Sequence, residues 1–513
     1  MTMSMKEWQR EQKLAVGRLV LSVLTENEIK LGTDWTIPWW QKVITRIGLG
    51  TKDNVNSLSL QKAIELVTKP TDIRIDILLD LLSIALNVDQ ISTEKDQAPN
   101  DIIYDARARQ FLYSLTLEMG LQGLELAVVE RSLGQQMYFT LQEKTKGGDS
   151  HNDDRFSQMN SSAKLAMHEN NSKKKLYRWL ATGAGVVGGG AVIALTGGLA
   201  APLLAPFLVG LTGATFFATA GGIALVTSLF GLTGGGLAGF KMHRRTQGLN
   251  EFGFKQILVD KDMPPIPTLK ATICVTGFLL DDVNETVTPW INSFENNRQN
   301  IDTFCLEYET KVLKELGYAF RRFLTNQALK YAGLEVAKQT ALQAFFAAVA
   351  LPATLLKVAD IIDDPWQIAV DRSRKAGIVL ADTLEERVQG NRPCNLIGYS
   401  CGSLVIWQCL QELHRRKIYG AIDHVVLLGS PIPSDDINMW RNAMKVVSGR
   451  FINGFTTEDW VLAYVYRLHS LETKVSGLAP VPFDGVENLS LDLEGHTSYR
   501  DAIPEIMSRI NLE

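Results

Sequence analysis

Apolar residues recur at helical spacing through the first quarter of the chain. Over residues 72–88, Ile73, Ile77, Leu78, Leu81, Leu82 and Ile84 fall on one helical face. A second run, capped by Asn100, continues through Phe111, Leu115, Leu121 and Leu126. Residues 1–143 are therefore expected to form a helical N-terminal region, a bundle or docking surface that offers a place for a protein partner. Residues 144–178 change character. Lys146-Gly-Gly-Asp-Ser-His-Asn-Asp-Asp and the later Glu169-Asn-Asn-Ser-Lys-Lys-Lys are polar and nearly free of large apolar side chains, which reads as a flexible linker.

Residues 180–240 then carry no charged side chain. As one helix, about 60 residues would run roughly 90 Å, against a bilayer core of about 30 Å. The stretch must cross more than once or fold on itself. Lys173, Lys174, Lys175 and Arg178 flank its front, and Lys241, Arg244 and Arg245 its back. Basic residues at both ends put both on the cytoplasmic side, so the number of crossings is even, and two fit best. Pro202 and Pro206 lie where a hairpin would turn, and Gly185/Gly189 and Gly231/Gly235/Gly239 repeat at the spacing that lets helices pack closely in lipid. Residues 179–245 are expected to be a multi-pass membrane hairpin, with the N-terminal region and everything downstream facing the cytosol.

From about residue 250 the period changes. Short β-rich runs at 271–276, 303–308, 394–398, 424–428, 450–455 and 489–493 alternate with helical segments. That alternation predicts an α/β domain over 250–513, a mainly parallel sheet covered on both faces. One uncharged insertion, residues 339–356 with Phe345 and Phe346, reads either as a buried helix or as an apolar cap.

Composition alters this picture little. With 513 residues the chain needs several domains, and a net charge of −4 leaves no basic field for nucleic acid. The five cysteines, Cys274, Cys305, Cys394, Cys401 and Cys409, form no Cys-x-x-Cys pair and read as buried, reduced thiols. Residues 1–13 are charged and lack the apolar core of a cleavable signal peptide. His151 beside Asp153 and Asp154 makes at most a weak metal set within a solvated run, so no metal or cofactor is expected.

The chemistry concentrates in Asn395-Leu-Ile-Gly-Tyr-Ser-Cys-Gly-Ser403. Apolar residues lead into Gly-x-Ser-x-Gly, and a helical run with Leu404, Val405, Trp407, Leu410 and Leu413 follows. A serine hydroxyl is a weak nucleophile; it must stand clear of the backbone, between a base and a set of amide donors. A sharp strand–turn–helix elbow at Ser400 does this, with glycines permitting close approach. An ordinary Gly/Ser turn is the plain alternative. Cys401 lacks the elbow position.

With the nucleophile at such an elbow, acid and then histidine follow in chain order. Of seven histidines, His414, His424, His469 and His496 lie beyond Ser400. His414 sits on the helix leaving the elbow, His424 begins a strand at its far end, and His469 lies in a helical run. His496, in Glu494-Gly-His-Thr directly after the last strand, is placed to be the base. For the acid, Thr456-Thr-Glu-Asp-Trp offers Asp459, with Glu458 second; Asp435 and Asp436 form a rival site after the preceding strand. The oxyanion donors are expected to be the backbone N–H of Cys401 and the Gly277-Phe278-Leu279 loop.

Taken together these residues resemble the transmembrane and coiled-coil domain-containing protein 4 family of lipase-like eukaryotic membrane proteins. The resemblance spans roughly residues 100–510: Tyr104-Asp-Ala-Arg, the Gly/Ala-rich region, Gly239-Phe-Lys-Met-His-Arg-Arg, Val275-Thr-Gly-Phe ahead of Pro289-Trp290, Gly398-Tyr-Ser-Cys-Gly-Ser, Leu428-Gly-Ser-Pro, Val447-Ser-Gly-Arg-Phe-Ile-Asn-Gly, Asp459-Trp460, Val465-Tyr-Arg467 and Gly495-His496. It implies an α/β-hydrolase fold, a membrane hairpin and the set Ser400, Asp459, His496. The first-strand motif of the family usually reads Gly-Trp where this chain has Gly277-Phe278, which bears on the second oxyanion donor. Two functions follow as expectations: a membrane-bound serine hydrolase acting on a lipid or other apolar ester, or an adaptor or trafficking protein that keeps the fold without turnover. A channel is disfavoured, because the hydrophobic region carries no intramembrane charge.

Overall fold

The β-rich runs of the C-terminal half pair into one sheet. In a computed structural model the described residues are 8–50, 53–86, 103–147, 226–232, 236–240, 248–257, 267–295, 302–331, 356–469 and 474–512. Seven strands, β1 (Phe252–Gln256), β2 (Ala271–Val275), β3 (Asp302–Tyr308), β4 (Cys394–Tyr399), β5 (Ile422–Leu428), β6 (Phe451–Phe455) and β7 (Val486–Ser490), lie in the order β1-β3-β2-β4-β5-β6-β7. β1 is antiparallel to β3, and every other pair is parallel. Sequence periodicity singles out no β1; it is a short edge strand, closed over by its own Phe252 and Phe254 packed against Phe240. The predicted last strand, 489–493, is displaced to Val486–Ser490, although the backbone N–H of Leu491 still donates to Phe455 O and carries the pairing on.

Strand geometry sends successive side chains to opposite faces. Ile273, Val275, Leu396, Val425 and Leu427 enter one core, and Cys274, Ile397, Tyr399, Val426 and Leu428 the other. The helices of this half are α9 (Thr288–Glu295), α10 (Thr310–Tyr331), α11 (Leu356–Glu385), α12 (Cys401–Arg415), α13 (Ile437–Val446), α14 (Trp460–His469) and α15 (Ser498–Ile510); before them come α1 (Arg10–Glu26), α2 (Glu28–Leu31), α3 (Thr33–Ile47), α4 (Leu60–Thr68), α5 (Arg74–Ala85), α6 (Ala106–Glu118), α7 (Gly123–Gly147) and the single turn α8 (Gly236–Gly239). Residues of α11, α12 and α13 fill the first core; those of α9, α10, α14 and α15, with Trp366 and Ala369 of α11, fill the second.

The helical region is joined to this sheet by buried bonds. Asn100 lies outside the described residues; the cap of α6 is Asp105, whose carboxylate accepts from Arg107 N, and the run breaks at Met119 and Gly120 before α7. The backbone N–H groups of Tyr104 and Ala106 donate to Asn391 O and Gly420 O, which stitches the segment to the loops below β4 and β5. Arg109 then reaches Asp423 on β5 at 2.7 Å and Glu130 on α7 at 3.0 Å, with all three side chains buried. Tyr104 Oη donates to the same Glu130 at 2.6 Å.

The expected hairpin meets a correction at its C-terminal end. Leu229 and Phe230 are buried in the core of the helical region, and Leu237 belongs to a core of the sheet. Gly231 is in the left-handed conformation (φ 65°), and its backbone lies against that of Gly390. The described part of residues 226–240 therefore belongs to the folded body. A chain that turns at Gly231 onto another loop is not a continuous helix packing in lipid. All of residues 179–225 lie outside the described residues, as do residues 148–178 of the linker and all of the 339–356 insertion but Leu356, with Phe345 and Phe346. Among the described residues no helix is long and apolar enough to cross a membrane.

Candidate active site

β4 is the fourth of the seven strands in sheet order, so its tip is flanked on both sides. Ser400 leaves that tip with φ 55° and ψ −128°, a conformation that a non-glycine residue holds only when its surroundings enforce it. Here Ser400 N donates to Leu428 O at 2.9 Å, and Ser403 Oγ donates back to Gly398 O at 2.8 Å. Gly402 completes the enforcement. A Cβ there would lie 2.1 Å from Val275 O, so α12 can leave the elbow only because position 402 has no side chain.

The loops after β6 and β7 converge on this serine. His496 Nε2 stands 2.6 Å from Ser400 Oγ, and His496 Nδ1 stands 2.6 Å from Asp459 Oδ2. A carboxylate can only accept, so Nδ1 carries the ring proton and Nε2 is left to accept from the serine hydroxyl. Asp459 Oδ1 takes the backbone N–H of Leu462 at 2.9 Å, so one carboxylate both caps α14 and orients the ring. All three side chains are buried, with Ser400 at 0% and His496 at 1% exposure.

Among the described residues no hydrogen bond links a rival acid to His496. Asp435 and Asp436 are exposed, and Asp436 caps α13 by accepting from Met439 N. Glu458 accepts from its neighbour Thr457. His424 lies at the far end of β5, accepting from Arg450 N at 2.8 Å, and His414 lies beside Tyr419. Burial in apolar surroundings pushes the Cys401 thiol up to about 12, so at neutral pH it is protonated and a poor nucleophile. Gly277 touches the elbow directly: a Cβ at this position would lie 2.6 Å from Cys401 N and 2.1 Å from Tyr399 O. Phe278 follows, fully buried, its ring 5.6 Å from that of His496.

Sequence periodicity did not single out the aromatic wall around the imidazole. Phe320 on α10 meets His496 edge-on at 5.2 Å, and Tyr499 meets it at 6.0 Å. Tyr499 stands three residues beyond His496 and was within reach of a local reading; Phe320 is brought in only by tertiary packing. The paired motif blocks Val275-Thr-Gly-Phe and Pro289-Trp290 also meet, because Trp290 Nε1 donates to Thr276 Oγ1 at 2.9 Å. Among the described residues no cluster of His, Cys, Asp and Glu is arranged to hold a metal; His151, Asp153 and Asp154 lie outside them.

Comparison with known proteins adds family context. A family model described as "Protein of unknown function (DUF726)" matches residues 174–513. The transmembrane and coiled-coil domain-containing protein STS1 of Oryza sativa subsp. japonica is 36% identical over 350 residues, covering 64% of this chain and 52% of that protein. An uncharacterized membrane protein of Schizosaccharomyces pombe, C6F6.13c, is 33% identical over 420 residues, covering 79% of this chain and 68% of that one. The probable lipase MIL1 of Saccharomyces cerevisiae is 30% identical over 313 residues, covering 59% of this chain and 28% of its own length. The chain thus spans about half of the rice protein and under a third of the budding-yeast one. No solved structure gives a significant match.

Proposed function

The chain belongs to the DUF726 family, and on the geometry of Ser400, His496 and Asp459 we propose that it is a membrane-bound serine hydrolase of the α/β-hydrolase fold, cleaving a lipid or other apolar ester. The observation that carries this reading is the unbroken relay Ser400–His496–Asp459, with both links at 2.6 Å, set at a positive-φ elbow. The strand order supports it: nucleophile after β4, acid after β6, base after β7, and an antiparallel strand at one edge.

In this reading Ser400 Oγ attacks the ester carbonyl while its proton passes to His496 Nε2, and Asp459 stabilises the imidazolium. The developing oxyanion takes hydrogen bonds from the backbone N–H groups of Cys401 and Phe278, the second made approachable by Gly277. His496 returns the proton to the leaving alcohol. Water, activated by the same imidazole, then releases the acid. The aromatic surroundings, Phe278 and Phe320, favour an apolar acyl group. Residues 179–225 retain enough length for two crossings of about 20 residues each, so a hairpin there holds the domain at the lipid surface. Both flanking regions then face the cytosol.

A second reading, a silent membrane adaptor, draws on the closed state of the site and on the buried joint between helical region and sheet at Arg109 and Asp423. Labelling of the full chain in membranes with a fluorophosphonate separates the two. The hydrolase reading expects covalent labelling that disappears in Ser400→Ala. A folded wild-type protein that never reacts leaves the adaptor.

A further inference from the structure

α10 has two unlike faces. Leu316, Phe320 and Phe323 point into the core beside His496. On the opposite side Lys311, Lys314, Tyr318 and Arg322 follow at helical spacing and, with Glu315 and Pro365 of α11, line a cleft of about 580 Å³. Tyr318 is 67% exposed, and Ile368, one turn beyond Pro365, is 45% exposed.

Several arginines of the domain are held in ion pairs. Arg321 is bound to Asp281, Arg416 to Asp382 and Glu385, and Arg450 to Glu487. Among the described residues no ion pair engages Lys311, Lys314 or Arg322, and Glu315 is the one carboxylate in the lining. Three unengaged cations around an exposed phenol ring and aliphatic stems match a membrane interface. There cations meet phosphates, and an amphipathic ring sits at headgroup depth.

We propose that the outward face of α10 binds the phosphate headgroups of anionic phospholipids. The occupant is a lipid surface because charge and exposed aromatic and aliphatic groups share one face, which a soluble anion would not require. If the hydrolase reading holds, the docked bilayer lies directly behind the reacting groups. Leu279 N, in the loop after β2, donates to Leu313 O at 3.1 Å, and a Cβ at Gly317 would lie 1.9 Å from Leu279 O. Any displacement of α10 on the lipid must therefore move Phe320 and the loop carrying Phe278.

All five native cysteines are buried, so Ile368→Cys in the full chain gives a single accessible thiol for an environment-sensitive dye beside the cleft. Reconstituted in phosphatidylcholine containing phosphatidylserine, the labelled protein should emit at shorter wavelength than in phosphatidylcholine alone, and added salt should reverse the shift. Replacing Lys311, Lys314 and Arg322 together by Gln should weaken docking on the order of a hundredfold, from about 1 kcal/mol per cation. The shift should persist in Ser400→Ala, so its loss and the loss of fluorophosphonate labelling are separate results. Equal emission in the two lipids overturns the proposal, as does a shift retained in the triple variant. Suppression by inorganic phosphate at constant ionic strength would mean a soluble-anion site. Protection by an acidic peptide without any lipid response would mean a protein-docking face. Either of those also overturns it.

Discussion

Phe320 meets the His496 imidazole edge-to-face at a ring-centroid distance of 5.2 Å, from a helix that joins neither the loop of Asp459 nor that of His496. Such aromatic contacts contribute about 0.5–1.5 kcal/mol beyond their buried area. Phe320→Leu keeps an apolar side chain in the core but removes the edge, so the ring loses orientation and not its environment. The expected outcome is a fluorophosphonate reaction rate lowered roughly twofold to tenfold, with the protein still folded by circular dichroism.

The relay itself predicts non-additive losses. Ser400→Ala, His496→Ala and the double variant should be about equally inactive, each down by roughly three to six orders of magnitude in ester turnover. Asp459→Asn should lose less. The amide oxygen can still cap α14 through Leu462 N, so the variant disturbs the ring's tautomer more than the fold. Asp435→Asn and Asp436→Asn alter exposed side chains and should retain near-wild-type rates. Equal inactivity in the Asp435 variant would move the acid to the loop after β5.

Arg109→Met should destabilise the chain strongly. It takes the Arg109 guanidinium away from the buried carboxylates of Asp423 and Glu130, a change that typically costs about 3–5 kcal/mol. Adding Glu130→Gln and Asp423→Asn removes the stranded charges and should recover part of the urea midpoint. A midpoint unmoved by Arg109→Met would mean that the helical region is not held through this joint.

The cysteines give a pH signature. Burial pushes the Cys394 and Cys401 thiols up to about 12 from an ordinary 9.0. Their folded values are raised, so the stability they contribute is fully present below 9.0 and is lost as pH climbs toward 12. At pH 8, iodoacetamide should leave both unmodified in native protein and alkylate all five cysteines after unfolding in urea. Mass spectrometry of the alkylated peptides reads the result.

Much of this arrangement is visible in the chain because it is local or ordered. The parallel strands declare themselves as apolar runs of five to seven residues, buried on both faces, with helical periods between them. The neighbours of Ser400 are findable because Asp459 and His496 each lie in the loop that leaves the sheet after a strand. Phe320 and Arg109 are different: each looks like one more residue on a helical face, and their partners are set by packing. β1 escapes because a five-residue edge strand with Gly253 at its second position has little period to display. At the end of the uncharged stretch, composition misleads. Leu229 and Phe230 are apolar whether they meet lipid or, as here, protein.

The bond between Arg109 and Asp423 joins residues 314 positions apart. During synthesis the helical region leaves the ribosome with Arg109 and Glu130 already made and Asp423 still untranslated. At about 5–20 residues per second, that interval is roughly 15–60 s. Over that time Arg109 lacks the Asp423 carboxylate, and the helical region lacks the sheet it joins. Residues 180–240, the most apolar part of the chain, emerge in the same window. The tail of that stretch, Leu229 and Phe230, thus meets a core whose helical residues are already made, while Gly390 and Arg392, which close over Gly231 and Phe230, arrive only with the sheet.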